Sequence, residues 1–541
     1  MKQIKSIVGN NLLLITILLA LIIRLINIDF PKFSAEEAQV ASRANFLISH
    51  GTDELGRKLP FIFNSSYDYQ LPLTSYITAF GVLIFSNNDL GVRLPFILIG
   101  ILIVILIYFI SKILFKDKKL AYFSAIIAVA SPGLVFFSKI PNEYIVLIVL
   151  MLILILLLLQ EKINKFFIIT AVILLLMTSK LAWFITVPII LLSFFLRNDL
   201  SRGEKINLIV LGSIPNILMV YIFLNIPQGG RSLIENNFSI LNDLSIKNGI
   251  DRLRGQQIDG WPNLLDRILL NKSFLIIASF FHWLSYLQPS SLFGQIDASG
   301  KFGFLNQGGL SKIIIIPLLI GLVHLIKEKN KKVLTFFLFA ILLSIPGALI
   351  YPKIEIGVLI IILPFLILIS AFGMSKLKSA FVNIVIVFIV FEAILNSFFI
   401  SSNVKISNTD RPFWIKQIVN EAYDYSKVAQ VFFSDKIAPD PAPFIFWYTS
   451  AAPPISSKDN FPYKIIQRDI GAIKIINSDR ISYQCKGDKI NYFFLNEDES
   501  KTFEKNATTF QNFDTKFERI YADNFNQDRV YLYKSSICLK Q

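Results

Sequence analysis

Cysteine and histidine are scarce in this sequence: two and three, respectively, in 541 residues. Cys485 and Cys538 both lie near the C-terminus, and their spacing suggests neither a zinc site nor a thiol catalyst. The histidines, His50, His282 and His324, are too scattered to form a metal-ligating constellation with carboxylates. Metal and cofactor are therefore both read as none. Charge is scarce too, at 17% of residues against 54% hydrophobic, and the mean hydropathy is +0.59. A water-soluble chain of this length needs far more polar surface, so the class is polytopic membrane protein. The net charge of +15 could suggest a nucleic-acid partner. The excess instead sits in short linkers between apolar runs, which is a topology signal, and no nucleic-acid partner is expected.

Apolar runs long enough to span fall at roughly 10–28, 93–114, 119–137, 143–159, 166–178, 181–196, 206–225, 311–326, 333–350, 356–373 and 380–400. The start resembles a signal peptide, but no small-residue cleavage site follows, so it reads as the first span. Basic residues occupy every second linker: Lys2 and Lys5, Lys116 to Lys119, Lys162 and Lys165, Arg197 to Lys205, Lys327 to Lys332, Lys376 and Lys378. The positive-inside rule puts all of them in the cytoplasm, with the N-terminus. Leu71–Phe85 is apolar but short, and counting it as a span would break this parity. It reads as a helix lying on the outer membrane surface.

The expectation is a polytopic α-helical protein with about 11 transmembrane helices over residues 1–400. Its first outer loop spans 29–92 and a long outer loop spans 226–310. A soluble extracytoplasmic α/β domain follows over 401–541, in a cell-membrane protein. Short strands are expected at 429–433, 444–447, 473–476, 490–495 and 529–533, with a helical pattern near 414–425. Outside the cell, Cys485 and Cys538 could pair.

The outer linkers carry the chemistry. The first loop offers Glu36, Glu37, Asp53, Glu54, Arg57 and Lys58; a short turn offers Lys139 and Glu143; a late turn offers Lys353 and Glu355. Arg24 lies inside the first span, and an ionisable group at that depth is a functional candidate by default. Each has a plainer reading. Glu36 and Glu37 could be a helix-start pair capped by Ser34, Asp53 a turn residue, and Arg24 a snorkelling cation. Paired acids beside cations suit transfer of a sugar from a lipid phosphate to a hydroxyl. A carboxylate takes the acceptor's proton and cations hold the departing phosphate. Ion-coupled transport remains open on composition alone.

The order of motifs narrows the field. FPKFSAEEA (30–38), GTDELGRKLP (51–60), YQLPLTSYITAFGVLIF (69–85), VRLPFILIGILIVILIYFISKILF (92–115), SPGLVFFSKIPNEY (131–144), WLSYLQPSSLF (283–293) and YPKIEIGVLIIILPFLILISAFG (351–373) occur in that sequence. In this order they resemble GT-C membrane glycosyltransferases of the dolichyl-phosphate-mannose protein mannosyltransferase and aminoarabinose transferase type (family 39-like). The resemblance implies a polyprenyl-phosphate sugar donor in the membrane and a hydroxyl acceptor, whether protein, lipid or cell-envelope glycan. It also implies inverting transfer on the outer face. Glu36 stands where the family has its first-loop Asp, with Glu37 beside it, and Glu143 matches the second-loop acid. Lys139 and Lys353 stand where the family has Arg, keeping the charge without the bidentate fork. The site read from the sequence is thus Glu36, Glu37 and Glu143 for catalysis, with Arg24, Asp53, Arg57, Lys58, Lys139 and Lys353 for lipid phosphate or sugar. A lipid-linked glycan polymerase or ligase would instead place its essential residues in 226–310, at Arg231, Arg252, Arg254 and His282. A transporter is the third reading.

Overall fold

A computed structural model describes the chain except residues 1, 30–31, 65–68, 198, 227–228, 256–272, 297–306, 329–330, 352–353, 404–410, 413, 439, 452–468, 477–489, 510–514, 523–528 and 536–541. Two compact units result: residues 1–26, 96–300 and 304–398 form one, and 27–95, 301–303 and 399–541 the other.

The first unit is helical, and every apolar run expected to span falls on a helix. Among the described residues, four helices are long and apolar enough to cross a membrane: Asp89–Phe115, Arg202–Leu224, Ile356–Met374 and Ser379–Phe398. Others are shorter, including Glu143–Leu159, Lys165–Leu176 and Leu181–Leu196. Ile356–Met374 is buried along its whole length, against Lys118–Ala130, Glu143–Leu159, Ile315–Glu328 and Lys331–Ser344. Such uniform apolarity leaves no polar face and marks a central helix. By contrast, most of the Arg202–Leu224 helix and of the Ser379–Phe398 helix is not buried, which leaves faces suited to lipid.

Two readings change. The run at 119–137 breaks at Ser131 into Lys118–Ala130 and Pro132–Phe137. Pro132 suits a helix start because its missing N–H costs nothing there, and the Ser131 hydroxyl turns away to donate to the Gly309 carbonyl at 2.7 Å. The long loop at 226–310 carries an apolar helix, Ser273–Tyr286, so His282 is helical and not in a loop. Its fourteen residues, interrupted by Ser, His and Trp, fall short of the roughly 20 apolar residues a span needs.

One acid lies where none suits lipid. Glu392, inside Ser379–Asn403, accepts from the Ser311 hydroxyl and from the backbone amides of Lys312 (2.9 Å) and Ile313 (3.4 Å). It serves as the missing partner for the start of the Ile315–Glu328 helix and its leading turn, where amides point without intrahelical acceptors. Glu392→Leu removes that partner and should destabilise the protein by about 1–3 kcal/mol. Glu392→Gln, which keeps an acceptor oxygen, should lose less in the same thermal-unfolding measurement in detergent.

Two short strands of the first loop, β1 (Phe63–Asn64) and β2 (Tyr69–Gln70), pair antiparallel. Among the described residues, β3 (Gln430–Ser434), β4 (Asp469–Ile470), β5 (Ile473–Ile476), β6 (Asn491–Asn496), β7 (Thr515–Ala522) and β8 (Arg529–Ser535) form the main sheet of the second unit in the order β4-β5-β3-β6-β8-β7. The central strand β3 pairs in parallel with β5 and β6. Strands β8, β7 and β4 complete it antiparallel. Side chains alternate as a strand requires. Val431, Phe433 and Phe494 face one core, and Phe432, Phe493 and Leu495 face the other. The segment at 444–447, read as a strand, is the helix Ala442–Thr449. Its first turn carries proline, and Ala442 to Trp447 are all buried with no alternation to favour a pleat.

Packing divides this part of the chain differently from composition, which changes near residue 400. Phe33, Ala38, Ala41, Ala44 and Phe46 share one hydrophobic core with Trp414, Ile418, Phe444 and Trp447. The small side chains at 38, 41 and 44 recur at helical spacing, so the Ala35–His50 helix can approach Ala442–Thr449 closely. Phe46 meets Phe446 edge to face at 5.5 Å. Cys485 and Cys538 lie outside the described residues.

Candidate functional site

In the second unit, the described acids and bases of residues 27–95 fall into separate arrangements. The Ala35–His50 helix starts at Ser34, whose hydroxyl accepts from the Glu37 amide at 3.1 Å, and ends at Gly51, whose φ of 67° suits glycine. Glu36 and Glu37 occupy its first turn, where the exposed amides favour negative charge. Their surroundings differ sharply. Glu36 is exposed, whereas the Glu37 side chain is 2% exposed and sits between two guanidiniums. Arg93 reaches Oε2 at 3.0 Å and Arg411 reaches Oε1. Arg93 also donates to the Ile28 carbonyl at 2.6 Å and lies over the Phe33 ring. Arg411 also donates to the Lys32 carbonyl. The Lys32 ammonium is pushed below its usual range, chiefly by burial; Asp29 and Asp89 oppose the shift, while Arg93 and Lys416 add to it.

Asp53 closes its own loop. Its Oδ1 accepts from the amides of Leu55 (3.0 Å) and Arg57 (2.8 Å), and Oδ2 from Arg57 Nε (2.7 Å). Arg57 is 42% exposed and also holds the Ile62 carbonyl, while Lys58 is exposed and bridges back to Thr52. This is the turn arrangement expected of an Asp bounded by glycines. Glu54 is different: it is buried and meets Arg43 at 2.6 Å, and Arg43 also bonds Gln70.

In the first unit, turns between helices meet at one end of the bundle. Arg24 is fully buried; Nε donates to Ser138 Oγ at 3.0 Å and Nη1 to the Ala20 carbonyl at 3.2 Å, while Nη2 has no hydrogen-bond partner among the described residues. Gly100 makes room for this contact: a Cβ there would lie 2.4 Å from Ser138 Cβ and 2.8 Å from Arg24 Nε. Gly100→Val should therefore displace Arg24 or Ser138 and cost about 1–3 kcal/mol, read as a lower unfolding temperature in detergent. Lys139, also fully buried, donates to the Ile26 carbonyl at 2.7 Å. Glu143 opens its helix behind an Asn142 cap and accepts from Ser179 Oγ at 2.8 Å. Tyr144 donates to Glu355 at 2.5 Å, and the Glu355 amide donates to Tyr286 Oη at 2.8 Å. Lys353 lies outside the described residues.

Linkers at the other end also meet: Arg197 donates to the carbonyls of Leu158, Gln160 and Glu161. The turns near 138–142 and 351–355, read as outer from charge, therefore group together with the linker at 179–180, apart from the basic linkers.

Lys180 escaped the sequence reading. It is buried, donates to Ser232 Oγ at 3.1 Å and lies over the Phe223 ring. A signal was available. Lys180 is a lone cation in a linker that parity places on the lysine-poor side, as Lys139 is, and such a residue has no topological reason to be there. Of the alternative set in 226–310, Arg231 is exposed and pairs with Glu235 one turn on, Arg252 is exposed, and His282 bonds the Ile350 carbonyl.

A family model for dolichyl-phosphate-mannose-protein mannosyltransferase matches residues 70–224, a span that includes Arg93, Lys139, Glu143 and Lys180. No curated protein matches the sequence. Among solved structures, ArnT from Cupriavidus metallidurans in the apo state matches with a TM-score of 0.55 at 10% identity, covering 97% of this chain and 98% of that one. The same protein bound to undecaprenyl phosphate matches with a TM-score of 0.53 at 10% identity, covering 96% and 97%. At that identity the structural likeness is one of fold. The resemblance read from the motifs is thus borne out: the chain carries the fold of ArnT over nearly its whole length and, across residues 70–224, the sequence pattern of the dolichyl-phosphate-mannose-protein mannosyltransferase family.

Proposed function

We propose that the protein is an inverting membrane glycosyltransferase that moves a sugar from a polyprenyl-phosphate donor to a hydroxyl acceptor on the outer face. The observation that carries this reading is the contrast at the first helix turn. One carboxylate, Glu36, is exposed, and its neighbour Glu37 is locked between two arginines. A base must meet the acceptor; a buried, doubly paired carboxylate suits a structural task. The family match over 70–224 and the ArnT fold support the reaction class.

In the reaction, the acceptor oxygen attacks the anomeric carbon as its proton passes to Glu36. The bond from the anomeric carbon to the phosphate oxygen breaks, polyprenyl phosphate leaves with the electron pair, and the anomeric configuration inverts. The developing phosphate charge needs cations. Arg24, Lys139 and Lys180 are the buried candidates, and Arg57, Lys58 and Lys353 the remaining ones. Glu143 assists by positioning the acceptor. Asp53 holds its loop and has no further part. A mannosyl, aminoarabinosyl or other sugar would serve this chemistry equally.

Purified protein in nanodiscs, supplied with radiolabelled polyprenyl-phosphate sugars, tests the reading through release of polyprenyl phosphate. Arg24→Gln and Lys139→Gln should each weaken donor use by about 2–4 kcal/mol, the loss expected of an electrostatic stabiliser. Loss on mutating Arg231 or His282, with these variants active, would favour a polymerase or ligase. Turnover-independent lipid flipping would favour a transporter.

A further inference from the structure

We propose that Arg411 is a positioning residue of this reaction, acting through Glu37 on the helix turn that presents Glu36. The inference rests on the transferase reading above and deepens it, because it makes the C-terminal sheet domain part of the working site.

Arg411 lies between the last apolar helix and the Ile415–Ser426 helix, 374 residues after Glu37. Its side chain is 1% exposed and that of Glu37 is 2% exposed, so the pair is shielded from water. The guanidinium grips the helix start at two points, the Glu37 carboxylate and the Lys32 carbonyl. Arg93 grips the same segment from the other side, at the opposite carboxylate oxygen and the Ile28 carbonyl. Ile28, Lys32 and Glu37 are therefore held by two guanidiniums, with the Ser34 cap between Lys32 and Glu37. Glu36 precedes Glu37 directly, so its Cα cannot move independently of that clamp.

Surrounding contacts make Arg411 more than a surface tether. Asp89, which begins the Asp89–Phe115 helix, accepts from Lys416 at 2.7 Å and from Trp447 Nε1 at 3.2 Å. The C-terminal part of the unit thus holds the first-loop segment at both ends, through Glu37 and through Asp89. One carboxylate facing two guanidiniums also explains why loss of Arg411 need not unfold the protein. Glu37 with Arg93 alone remains a charge-balanced pair, whereas loss of Glu37 leaves two buried cations.

The test compares Arg411→Gln and Arg411→Lys with wild type, using the full chain in nanodiscs. For Arg411→Gln, kcat for polyprenyl-phosphate release should fall at least about ten-fold with KM for the donor within about two-fold, since misplacing a reacting group costs turnover first. Arg411→Lys, which keeps the charge and one contact, should recover part of kcat. Backbone amide exchange at residues 34–40 should rise in Arg411→Gln while the β3 and β6 amides stay as in wild type. Unchanged exchange at 34–40, or unchanged kcat, overturns the proposal. Exchange raised equally in β3 and β6 also overturns it, because Arg411 would then only hold the domain together. A wild-type protein that releases no polyprenyl phosphate sinks the transferase reading, and with it the catalytic half of the proposal. The exchange experiment still reads the clamp by itself.

Discussion

Glu36→Gln should abolish sugar transfer while leaving the protein folded. Glutamine keeps the length and hydrogen-bonding reach of the side chain but cannot take the acceptor's proton. General-base loss of this kind costs about 10²–10⁴-fold in turnover. Glu36 is exposed at the first turn of the Ala35–His50 helix, so its loss should leave the unfolding temperature near that of wild type. The measurement is release of radiolabelled polyprenyl phosphate in nanodiscs, with unfolding followed in the same preparation. Glu36→Asp should retain part of the activity, because it keeps the carboxylate and moves it by about one bond length. Full activity in Glu36→Gln would remove it from the chemistry.

Glu37→Gln should do the reverse. It leaves Arg93 and Arg411, both almost fully buried, facing a neutral amide. Breaking a buried ion pair by removing one partner costs on the order of 3–5 kcal/mol, since each buried guanidinium then faces a neutral group in place of a carboxylate. The expected result is poor yield and a much lower unfolding temperature in detergent. Should Glu37→Gln stay as stable as wild type and yet lose turnover, the roles of the two glutamates would be exchanged.

Much of the architecture was legible because membrane burial leaves coarse marks. Apolar runs located the helices of the first unit, and the alternation of basic linkers sorted their turns into two groups. The contacts of Arg197 at one end, and of Arg24, Glu143 and Tyr144 at the other, follow that sorting. What failed to read were features set by tertiary partners. Ala442–Thr449 looks like a strand because aromatic residues favour pleated surfaces; being buried on every side is visible only once the neighbours are present. The Ser273–Tyr286 helix was hidden by its polar interruptions, among them Trp283, whose indole donates to Ser344 at 2.8 Å. At the site, the motif order singled out Glu36 and Glu37 together, and nothing local distinguishes them. Their difference comes from Arg93 and Arg411, the second of them too far along the chain for any spacing rule to find.

That distance has a consequence for how the protein is made. The segment around Glu37 emerges from the ribosome early, yet one of its two buried counter-ions arrives 374 residues later. At ordinary synthesis rates of 5–20 residues per second, the gap lasts roughly 20–75 s. Throughout it, the Ala35–His50 helix lacks Arg411 and the aromatic side chains of Ala442–Thr449 that cover its small-residue face. The first loop must therefore wait, its acid pair unfinished, until nearly all the intervening helices have been inserted. Only a chain that has completed its apolar helices can assemble the turn that holds Glu36 and Glu37.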